Sequence, residues 1–490
     1  MLMAKLLFAN SYFYKFDRKQ WETRQPYPPL GTLYAASCMR QAGHSVSLFD
    51  SNLADSVEDI IPFLKKTSPR YLIIYDDGFN YLTKMCLSKM REAAFQLIKT
   101  GKEYGCKVVV SGSDSTDQYD IYLGYGADVI IMGEGEVTLE EVIAALESGS
   151  RDYSEIKGVA FRSHGVTLKT PKREIITDLD RLPVPAWDLV EMEKYRKIWN
   201  ENHGYFSLNL ATTRGCPFRC NWCAKPIYGN RYNSRSPVKV ADEIEYLLKE
   251  FRPDHFWFCD DIFGLKPGWV NEFRNIVKKR KLNFRYKIQT RVDLILNENN
   301  LGALCESGLE TVWIGAESGS QKILDAMEKG TTIDQIYRAT KLLKSKNIRI
   351  AFFIQLGYPG ETKEDVRMTT RMIGELLPDD IGISVSYPLP GTKFYENVKE
   401  DLKLKANWTD SDDLAMMFRN SFQPAYYKRL HHFIHRFYRQ RKAVSAAWKL
   451  VRNPFDQRTA TLKTALSFFY YLPQTIFDLI ILKQLKSSGK

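Results

Sequence analysis

The 490-residue chain is predicted to be an α/β protein with two parallel-sheet domains and a helical carboxyl-terminal tail. Short runs rich in β-branched and aromatic residues alternate with helical stretches, a pattern typical of βαβ units and parallel sheets. The alternation occurs over residues 1–150 and again, in larger steps, over residues 206–400. The length suggests two or three domains, and a hydrophobic content of 44% is enough for sizeable cores.

The first domain, residues 1–150, is expected to be doubly wound and flavodoxin-like. The pattern predicts strands at 5–10, 45–50, 71–76, 107–111 and 129–132, and helices at 31–42, 57–66, 82–104 and 138–148. Ligands of such domains bind at the carboxyl ends of the strands. Those ends are polar or glycine-rich here: Asn10-Ser11, Asp76-Asp77-Gly78, Ser111-Gly112-Ser113-Asp114 and Gly133-Glu134-Gly135-Glu136. Such turns let a backbone approach a ligand closely, although packing alone also accounts for them.

Residues 151–205 are predicted to link the two domains. The segments 156–161 and 166–168 predict a small hairpin. Pro183 and Pro185 stiffen the extended stretch that follows, because proline restricts both its own backbone and that of its predecessor.

The second domain, residues 206–400, is expected to be a partial (β/α)6 TIM barrel. The pattern predicts strands at 206–210, 255–259, 285–289, 311–314, 351–356 and 381–387, and helices at 239–251, 266–280, 298–307, 320–328, 333–346 and 363–376. Chemistry in this fold lies at the carboxyl ends of the strands. Asp260 and Asp261 follow the second strand. They could cap the start of the next helix or belong to the site, and the sequence leaves both interpretations open.

A loop with three cysteines follows the first barrel strand. Cys216, Cys220 and Cys223 have CxxxCxxC spacing, and the glycine and proline beside the first cysteine indicate a loop. Structural zinc needs a fourth ligand and usually comes with two CxxC-type pairs. An iron–sulfur cluster held by three thiolates, with one iron open, is therefore favoured, and zinc or unligated cysteines are the alternatives.

This loop, with Trp222 before the last cysteine, resembles the signature of the radical S-adenosylmethionine (SAM) enzymes. In that family the three thiolates hold a 4Fe–4S cluster whose open iron chelates SAM, which is then cleaved to a 5′-deoxyadenosyl radical. The resemblance implies that Cys216, Cys220 and Cys223 are the metal ligands and the catalytic centre.

The polar ends of the later barrel strands resemble other segments of the same family. By this resemblance Glu317 would bond the SAM ribose, and Ser318 and Gly319 would approach its carboxylate end. Arg291 is a candidate for anchoring SAM or the substrate. Gly357 belongs to the corresponding segment after the fifth strand.

The first domain resembles the cobalamin-binding domain that precedes some radical SAM domains. The matching residues are Pro28-Pro29-Leu30-Gly31, Gly43-His44, Asp50 and Gly133-Glu134-Gly135-Glu136. By resemblance Ser111 and Gly112 would contact the nucleotide tail of cobalamin, and Gly133, Glu134 and Gly135 would lie against the same cofactor. The DxHxxG motif is absent after the first strand, so no histidine is expected below the cobalt.

The resemblance implies a cobalamin-dependent radical SAM enzyme, most simply a methyltransferase acting on an unactivated carbon. One SAM would supply the radical, methylcobalamin the methyl group, and a flavodoxin or ferredoxin the electron. An oxidative or ring-closing reaction like that of the anaerobic porphyrin cyclases is the alternative. A non-catalytic cobalamin- or redox-sensing protein is a second alternative. The substrate class is a small or lipid-like molecule.

The expected location is the cytoplasm. Eight scattered cysteines do not resemble a disulfide framework, and a cluster-binding loop needs a reducing compartment. The first ten residues resemble a strand more than a signal peptide.

The tail, residues 401–490, is predicted to be helical, basic and partly apolar. Residues 425–490 carry 13 Lys or Arg against two acids, a net +11 of the chain's +12. The apolar segment 465–485 is interrupted by Pro473 and Asp478 and predicts a poor membrane span. The tail has two interpretations. It could make peripheral contact with the anionic inner face of a membrane, or it could be a cap packed on the barrel. No nucleic-acid module accompanies the charge, so no nucleic-acid partner is expected.

Overall fold

The first sheet of this computed structural model, which describes residues 3–225, 227–402, 407–452 and 459–485, has seven strands. They are β1 (Lys5–Ala9), β2 (Ser45–Leu48), β3 (Tyr71–Tyr75), β4 (Lys107–Ser111), β5 (Val129–Ile131), β6 (Val159–Ser163) and β7 (Val166–Lys169). Their order is β2-β1-β3-β4-β5-β6-β7, and the first five are parallel. This is the flavodoxin-like order, with apolar cores on both faces of the sheet.

The hairpin β6–β7 extends this sheet. β6 pairs antiparallel with β5, and β7 with β6. The two strands predicted within the linker therefore join the sheet of the first domain.

Eight helices accompany the first sheet. They are α1 (Arg18–Thr23), α2 (Leu30–Gln41), α3 (Ile61–Thr67), α4 (Tyr81–Lys84), α5 (Ser88–Glu103), α6 (Ser113–Asp117), α7 (Tyr119–Gly124) and α8 (Glu136–Glu147). The single helix predicted at 82–104 is wrong, because Cys86 has a left-handed φ of 54° between α4 and α5. The backbone amide of Ser88 in the first turn of α5 donates to the carbonyl of Trp408 at 2.9 Å, so a distant segment stabilises the new helix start.

The linker contains one further α-helix, α9 (Met192–His203), and two short 3-10 helices. Its Tyr195 hydroxyl donates to Asp50 at 2.8 Å, and its Trp199 indole donates to the carbonyl of Pro26 at 2.8 Å. These buried contacts fasten the linker to the first domain.

The second sheet begins with β8 (Ser207–Leu210). A two-stranded ribbon follows, β9 (Thr213–Arg214) with β10 (Asn233–Ser234). The remaining strands are β11 (His255–Phe258), β12 (Arg285–Thr290), β13 (Leu309–Glu317), β14 (Arg349–Leu356) and β15 (Asp380–Val385). All six strands of the main sheet are parallel in the order β15-β14-β13-β12-β11-β8. This ladder is the predicted partial barrel.

The barrel helices lie between these strands. They are α10 (Pro237–Phe251), α11 (Trp269–Arg280), α12 (Val292–Ile295), α13 (Glu298–Glu306), α14 (Gln321–Ala326), α15 (Ile333–Ser345), α16 (Lys363–Leu376) and α17 (Lys393–Val398). Two of the longer ones begin with a capping box, Thr332 with Gln335 for α15 and Thr362 with Asp365 for α16.

The described part of the tail contains three α-helices: α18 (Pro424–Arg452), α19 (Thr459–Leu466) and α20 (Phe468–Gln484). α18 packs on the edge strand β15 and on α16. The hydroxyl of Tyr438 donates to the carbonyls of Pro378 and Asp379 at 2.9 and 2.7 Å. α18 is therefore a packed cap on the barrel, while α19 and α20 lie against α18.

Candidate active site

The cysteine loop is fastened at its base by Asp260, at the carboxyl end of β11. The Asp260 carboxylate accepts hydrogen bonds from the backbone amides of Thr212 and Thr213 at 2.7 and 2.9 Å, and from the Thr212 hydroxyl. Asp260 is fully buried, and burial raises the pKa of its carboxyl to about 7. The next helix begins at Trp269, so the N-cap interpretation of Asp260 is wrong and its role is to position the loop.

Gly215 opens the loop in a conformation that only glycine adopts readily. Its φ is +79°, and a Cβ atom there would lie 2.2 Å from the carbonyl oxygen of Arg231. The loop therefore leaves β9 in close contact with the irregular segment that leads into β10.

Two polar side chains hold the shape of the loop. The Lys225 ammonium donates to the carbonyl of Phe218 at 2.6 Å and to Asn230 Oδ1 at 2.9 Å. The Asn221 amide donates to the carbonyl of Ala326 at 2.7 Å. The loop is thus tied both to itself and to the end of α14.

Cys216, Cys220 and Cys223 are all partly exposed free thiols. Burial raises the pKa of Cys216 and raises that of Cys223 to about 11, which disfavours the thiolate form of these two residues in the absence of a metal. In the part of the chain that the structure describes, no group of three His, Cys, Asp or Glu side chains lies close enough together to hold a metal ion. Three thiols on one loop fit an iron–sulfur cluster chemically, and the ligand assignment stays a prediction.

Glu317 ends β13 beside this loop, in a left-handed conformation with φ +55°. Its Oε1 accepts a hydrogen bond from Lys329 Nζ at 2.7 Å, and the two side chains are only 5% and 10% exposed. Lys329 Nζ also lies 5.8 Å from the centroid of the Trp222 ring. Sequence reasoning missed Lys329, because a lysine just past a helix end is also expected for its interaction with the helix dipole.

Arg291 lies under the loop. Its guanidinium is 3.8 Å from the centroid of the Phe218 ring, and it donates to the carbonyls of Lys329 and Gly330 at 2.7 and 3.0 Å. Arg291 also pairs with Asp293 at 3.0 Å. The residue thus supports the cysteine loop, and direct contact with SAM stays a prediction.

Three other predicted contact residues have partners inside the protein. Ser318 Oγ and the backbone amide of Gly319 lie 3.2 and 2.9 Å from Thr369 Oγ1 on α16. The amide of Gly357 donates to Glu361 Oε2 at 2.7 Å. The structure places all three at the carboxyl ends of β13 and β14, and their predicted contacts with SAM are untested.

Arg214, the residue before Gly215, joins the cysteine loop to the first domain. It forms buried ion pairs with Glu134 at 2.5 Å and Glu136 at 2.6 Å. Its guanidinium lies 5.0 to 5.6 Å from the ring centroids of Tyr34, Phe79 and Tyr228. The carboxyl edges of the two sheets therefore face each other across this residue.

Glycines at the edge of the first sheet lie against the protein's own side chains. A Cβ on Gly135 would lie 2.9 Å from the Tyr75 ring and 3.0 Å from Ser111 Oγ, and one on Gly112 would lie 2.5 Å from Asp76 Oδ2. The structure thus brings the predicted cobalamin contacts Ser111, Gly112 and Gly135 together around Tyr75 and Asp76.

The same edge contains buried polar atoms that a ligand could satisfy. Asn10 Nδ2 and the Tyr12 hydroxyl are buried without a hydrogen-bond partner among the residues described. Gly133 follows β5 in the chain, and a Cβ atom there would lie 3.9 Å from the carbonyl oxygen of Ile227. Buried unpaired polar atoms are costly, so this edge fits a polar, amide-rich cofactor.

Comparison with known proteins identifies the family. The model of the radical SAM superfamily matches residues 210–373. The uncharacterized methyltransferase PH0819 of Pyrococcus horikoshii is 30% identical over 388 residues, which cover 78% of this chain and 81% of that protein. The chain belongs to the radical SAM superfamily. This radical SAM protein is also 32% identical to the anaerobic magnesium-protoporphyrin IX monomethyl ester cyclase of Rubrivivax gelatinosus, over 77% of this chain and 67% of the cyclase.

A solved structure shares the fold of this radical SAM protein. The radical SAM methyltransferase TsrM of Kitasatospora setae, with cobalamin and a 4Fe-4S cluster bound, superimposes with a TM-score of 0.66 at 19% identity. The match covers 81% of this chain and 75% of TsrM. The family, the enzyme class and the fold predicted from the sequence are thereby confirmed.

Proposed function

We propose that this radical SAM enzyme is cobalamin-dependent and methylates an unactivated carbon. The observation that carries the proposal is the buried contact of Arg214 with Glu134 and Glu136. It holds the cysteine loop against the carboxyl edge of the first sheet, where the cobalamin-binding residues are predicted. A substrate between the two edges would meet both cofactors. The names of the Pyrococcus horikoshii relative and of TsrM support methyl transfer.

The residues of this chain divide into groups for each cofactor. Cys216, Cys220 and Cys223 would hold the cluster. SAM would lie near Glu317, and cobalamin near the edge at Asn10 and Tyr12. When bound, the cluster and SAM would supply a radical that takes a hydrogen atom from the substrate, and cobalamin would supply a methyl group.

The chain's own residues position these groups. Asp260 holds the base of the cysteine loop, and Arg291 supports the loop through Phe218. Lys329 neutralises the buried Glu317 carboxylate and keeps it ordered. These contacts fix the loop and the neighbouring carboxylate before any ligand binds.

Oxidation or ring closure without methyl transfer is a second candidate reaction, supported by the 32% identity with the Rubrivivax gelatinosus cyclase. In either case we infer a small-molecule or lipid-like substrate, a flavodoxin- or ferredoxin-type electron donor and a cytoplasmic location.

The decisive test is anaerobic turnover of reconstituted enzyme with deuteromethyl-SAM, reductant, methylcobalamin and an extract of cell metabolites and lipids. Deuteromethylated product with deoxyadenosine would support C-methylation, and deoxyadenosine without methylation would favour the oxidative alternative. The absence of both products would favour a non-catalytic protein. Alanine at Cys216, Cys220 or Cys223 should abolish SAM cleavage, whereas Cys305→Ala, on α13, should leave it unchanged.

Cobalamin binding has its own readout. Electron paramagnetic resonance of the cob(II)alamin form should lack nitrogen hyperfine splitting, because no histidine is expected below the cobalt. Splitting from a coordinated nitrogen would contradict the predicted binding mode. Failure to retain a stoichiometric corrinoid would remove cobalamin from the proposal.

A further inference from the structure

The outward face of the last two helices is apolar. Phe469 and Tyr470 are 74% and 63% exposed, and the other exposed members of this face are Leu462, Leu466, Ile476, Phe477, Leu479 and Ile480. Most recur at intervals of three or four residues, which aligns them as one stripe along α19 and α20. We call these eight residues the apolar stripe. An exposed stripe of this size marks an interaction surface.

The inward face of α20 is fixed by a charged cluster. Asp478 is fully buried and accepts hydrogen bonds from Arg429 at 2.8 Å and from Arg436 at 2.8 and 2.9 Å, both on α18. Thr475 and Leu482 are buried on the same side. Lifting α20 from α18 would leave a carboxylate and two guanidinium groups unpaired, so the apolar stripe must point away from the protein.

Positive charge accompanies the stripe. Exposed Lys463 and Lys483 lie near its two ends, and Lys449 and Arg452 are exposed at the end of α18. The tail from residue 425 carries a net charge of +11. Asp478, one of its two acidic residues, is buried in ion pairs with Arg429 and Arg436. An apolar face with aromatic side chains beside excess Lys and Arg is the composition of helices that lie in anionic lipid interfaces.

A spanning orientation conflicts with the buried cluster. The segment Thr461–Gln484 is long and apolar enough to cross a bilayer by length and composition. Crossing would either carry Asp478 into the hydrocarbon core or break its pairing with Arg429 and Arg436, and both are costly. Pro473 lies inside α20 and has no backbone N–H, so one backbone carbonyl of the helix lacks its usual donor, which is a further cost in a hydrocarbon core. The segment is therefore suited to lie along a membrane.

We propose that α19 and α20 dock the enzyme on an anionic bilayer surface, with the apolar stripe inserted at headgroup level. α18 is the rigid connection, since it packs on β15 and α16 of the barrel. The docking surface is independent of the reaction that the enzyme catalyses. It places the barrel at the membrane without a transmembrane segment.

The experiment is sedimentation of the full-length protein with vesicles of equal parts phosphatidylcholine and phosphatidylglycerol. Wild-type protein should cosediment, more weakly with phosphatidylcholine alone and at high salt. The double variant Phe469→Glu/Ile480→Glu should lose about tenfold or more in partitioning. The matched control Ile121→Glu/Val166→Glu changes two exposed apolar residues, one on α7 and one on β7 of the first sheet, and should bind as the wild type does. Thermal melting of both variants checks that they are folded.

Three outcomes would overturn the proposal. The first is a lack of binding that depends on the stripe, seen either as wild-type protein that stays in the supernatant or as a stripe variant that partitions as the wild type does. The second is a protein that forms dimers lost in the stripe variant but binds no vesicles, which would assign the face to a second copy of the chain. The third is resistance of the bound protein to alkaline carbonate extraction, which would indicate a spanning helix.

Discussion

At the scale of single residues, the buried ion pair of Lys329 with Glu317 gives a prediction about stability. Both side chains are nearly fully buried. Removing the cation leaves an uncompensated carboxylate, so Lys329→Met should lower the free energy of unfolding by about 3–5 kcal/mol. Urea denaturation measures this loss. The double variant Lys329→Met/Glu317→Gln should recover part of it, and a loss below about 1 kcal/mol in the single variant would show that the pair is dispensable.

Glu361 gives a prediction about pH. Burial raises the pKa of its carboxyl from the ordinary value of 4.5 to about 8, so the folded protein holds a proton there that the unfolded chain releases above pH 4.5. The stability from this group is therefore present below pH 4.5 and is lost as pH rises through 8. Glu361→Gln cannot titrate, so between pH 5 and pH 8.5 its free energy of unfolding should rise relative to that of the wild type by about 4 kcal/mol.

The control for this pH dependence is Glu364→Gln, an exposed carboxylate in the first turn of α16. Its stability should follow that of the wild type across the same range. Parallel pH profiles for the wild type and Glu361→Gln would show that Glu361 is ionised in the folded protein.

At the scale of elements, the cysteine loop depends on Gly215. An alanine there would combine a strained φ of +79° with a Cβ 2.2 Å from the Arg231 carbonyl, so the loop would have to move. Gly215→Ala should therefore lose most of the iron bound after anaerobic reconstitution, measured by iron and sulfide analysis.

Gly229 is the matched control for this loop prediction. It has a similar φ of +68° but no atom within 4 Å of a Cβ position. Gly229→Ala should lose only about 1 kcal/mol of stability and retain its iron. Equal iron content in the two variants would mean that the cysteines find their positions without the tight turn.

At the scale of the whole molecule, Arg214 couples the two domains. Arg214→Leu would leave Glu134 and Glu136 buried without their cation, and should cost about 3–5 kcal/mol in the free energy of unfolding. It should also expose the linker at residues 170–178 to limited proteolysis, because the cysteine loop would no longer hold the first domain.

Arg280 is the control for the domain contact, since it also pairs with two carboxylates, Asp242 and Glu245, but at the surface. Arg280→Leu should cost less than about 1 kcal/mol and leave the proteolysis pattern unchanged. If Arg214→Leu behaved in the same way, the domains would be held by apolar packing alone.

Local patterns in the sequence determined the elements and the family. The predicted strand at 107–111 and helix at 363–376 agree with β4 and α16 because alternation, amphipathic periodicity and the Thr362–Asp365 capping box act within a few residues. The CxxxCxxC spacing likewise lies within one loop. Such signals need no knowledge of distant parts of the chain.

Tertiary structure decided how those elements meet. The partner of Arg214 lies 80 positions away in Glu134, and the break between α4 and α5 is stabilised by a carbonyl of Trp408. The tail sequence predicted charge and apolarity, but only the burial of Asp478 against α18 determined which face of α20 is exposed. Buried ion pairs and helix orientations depend on residues that become neighbours only on folding, so periodicity and spacing cannot predict them.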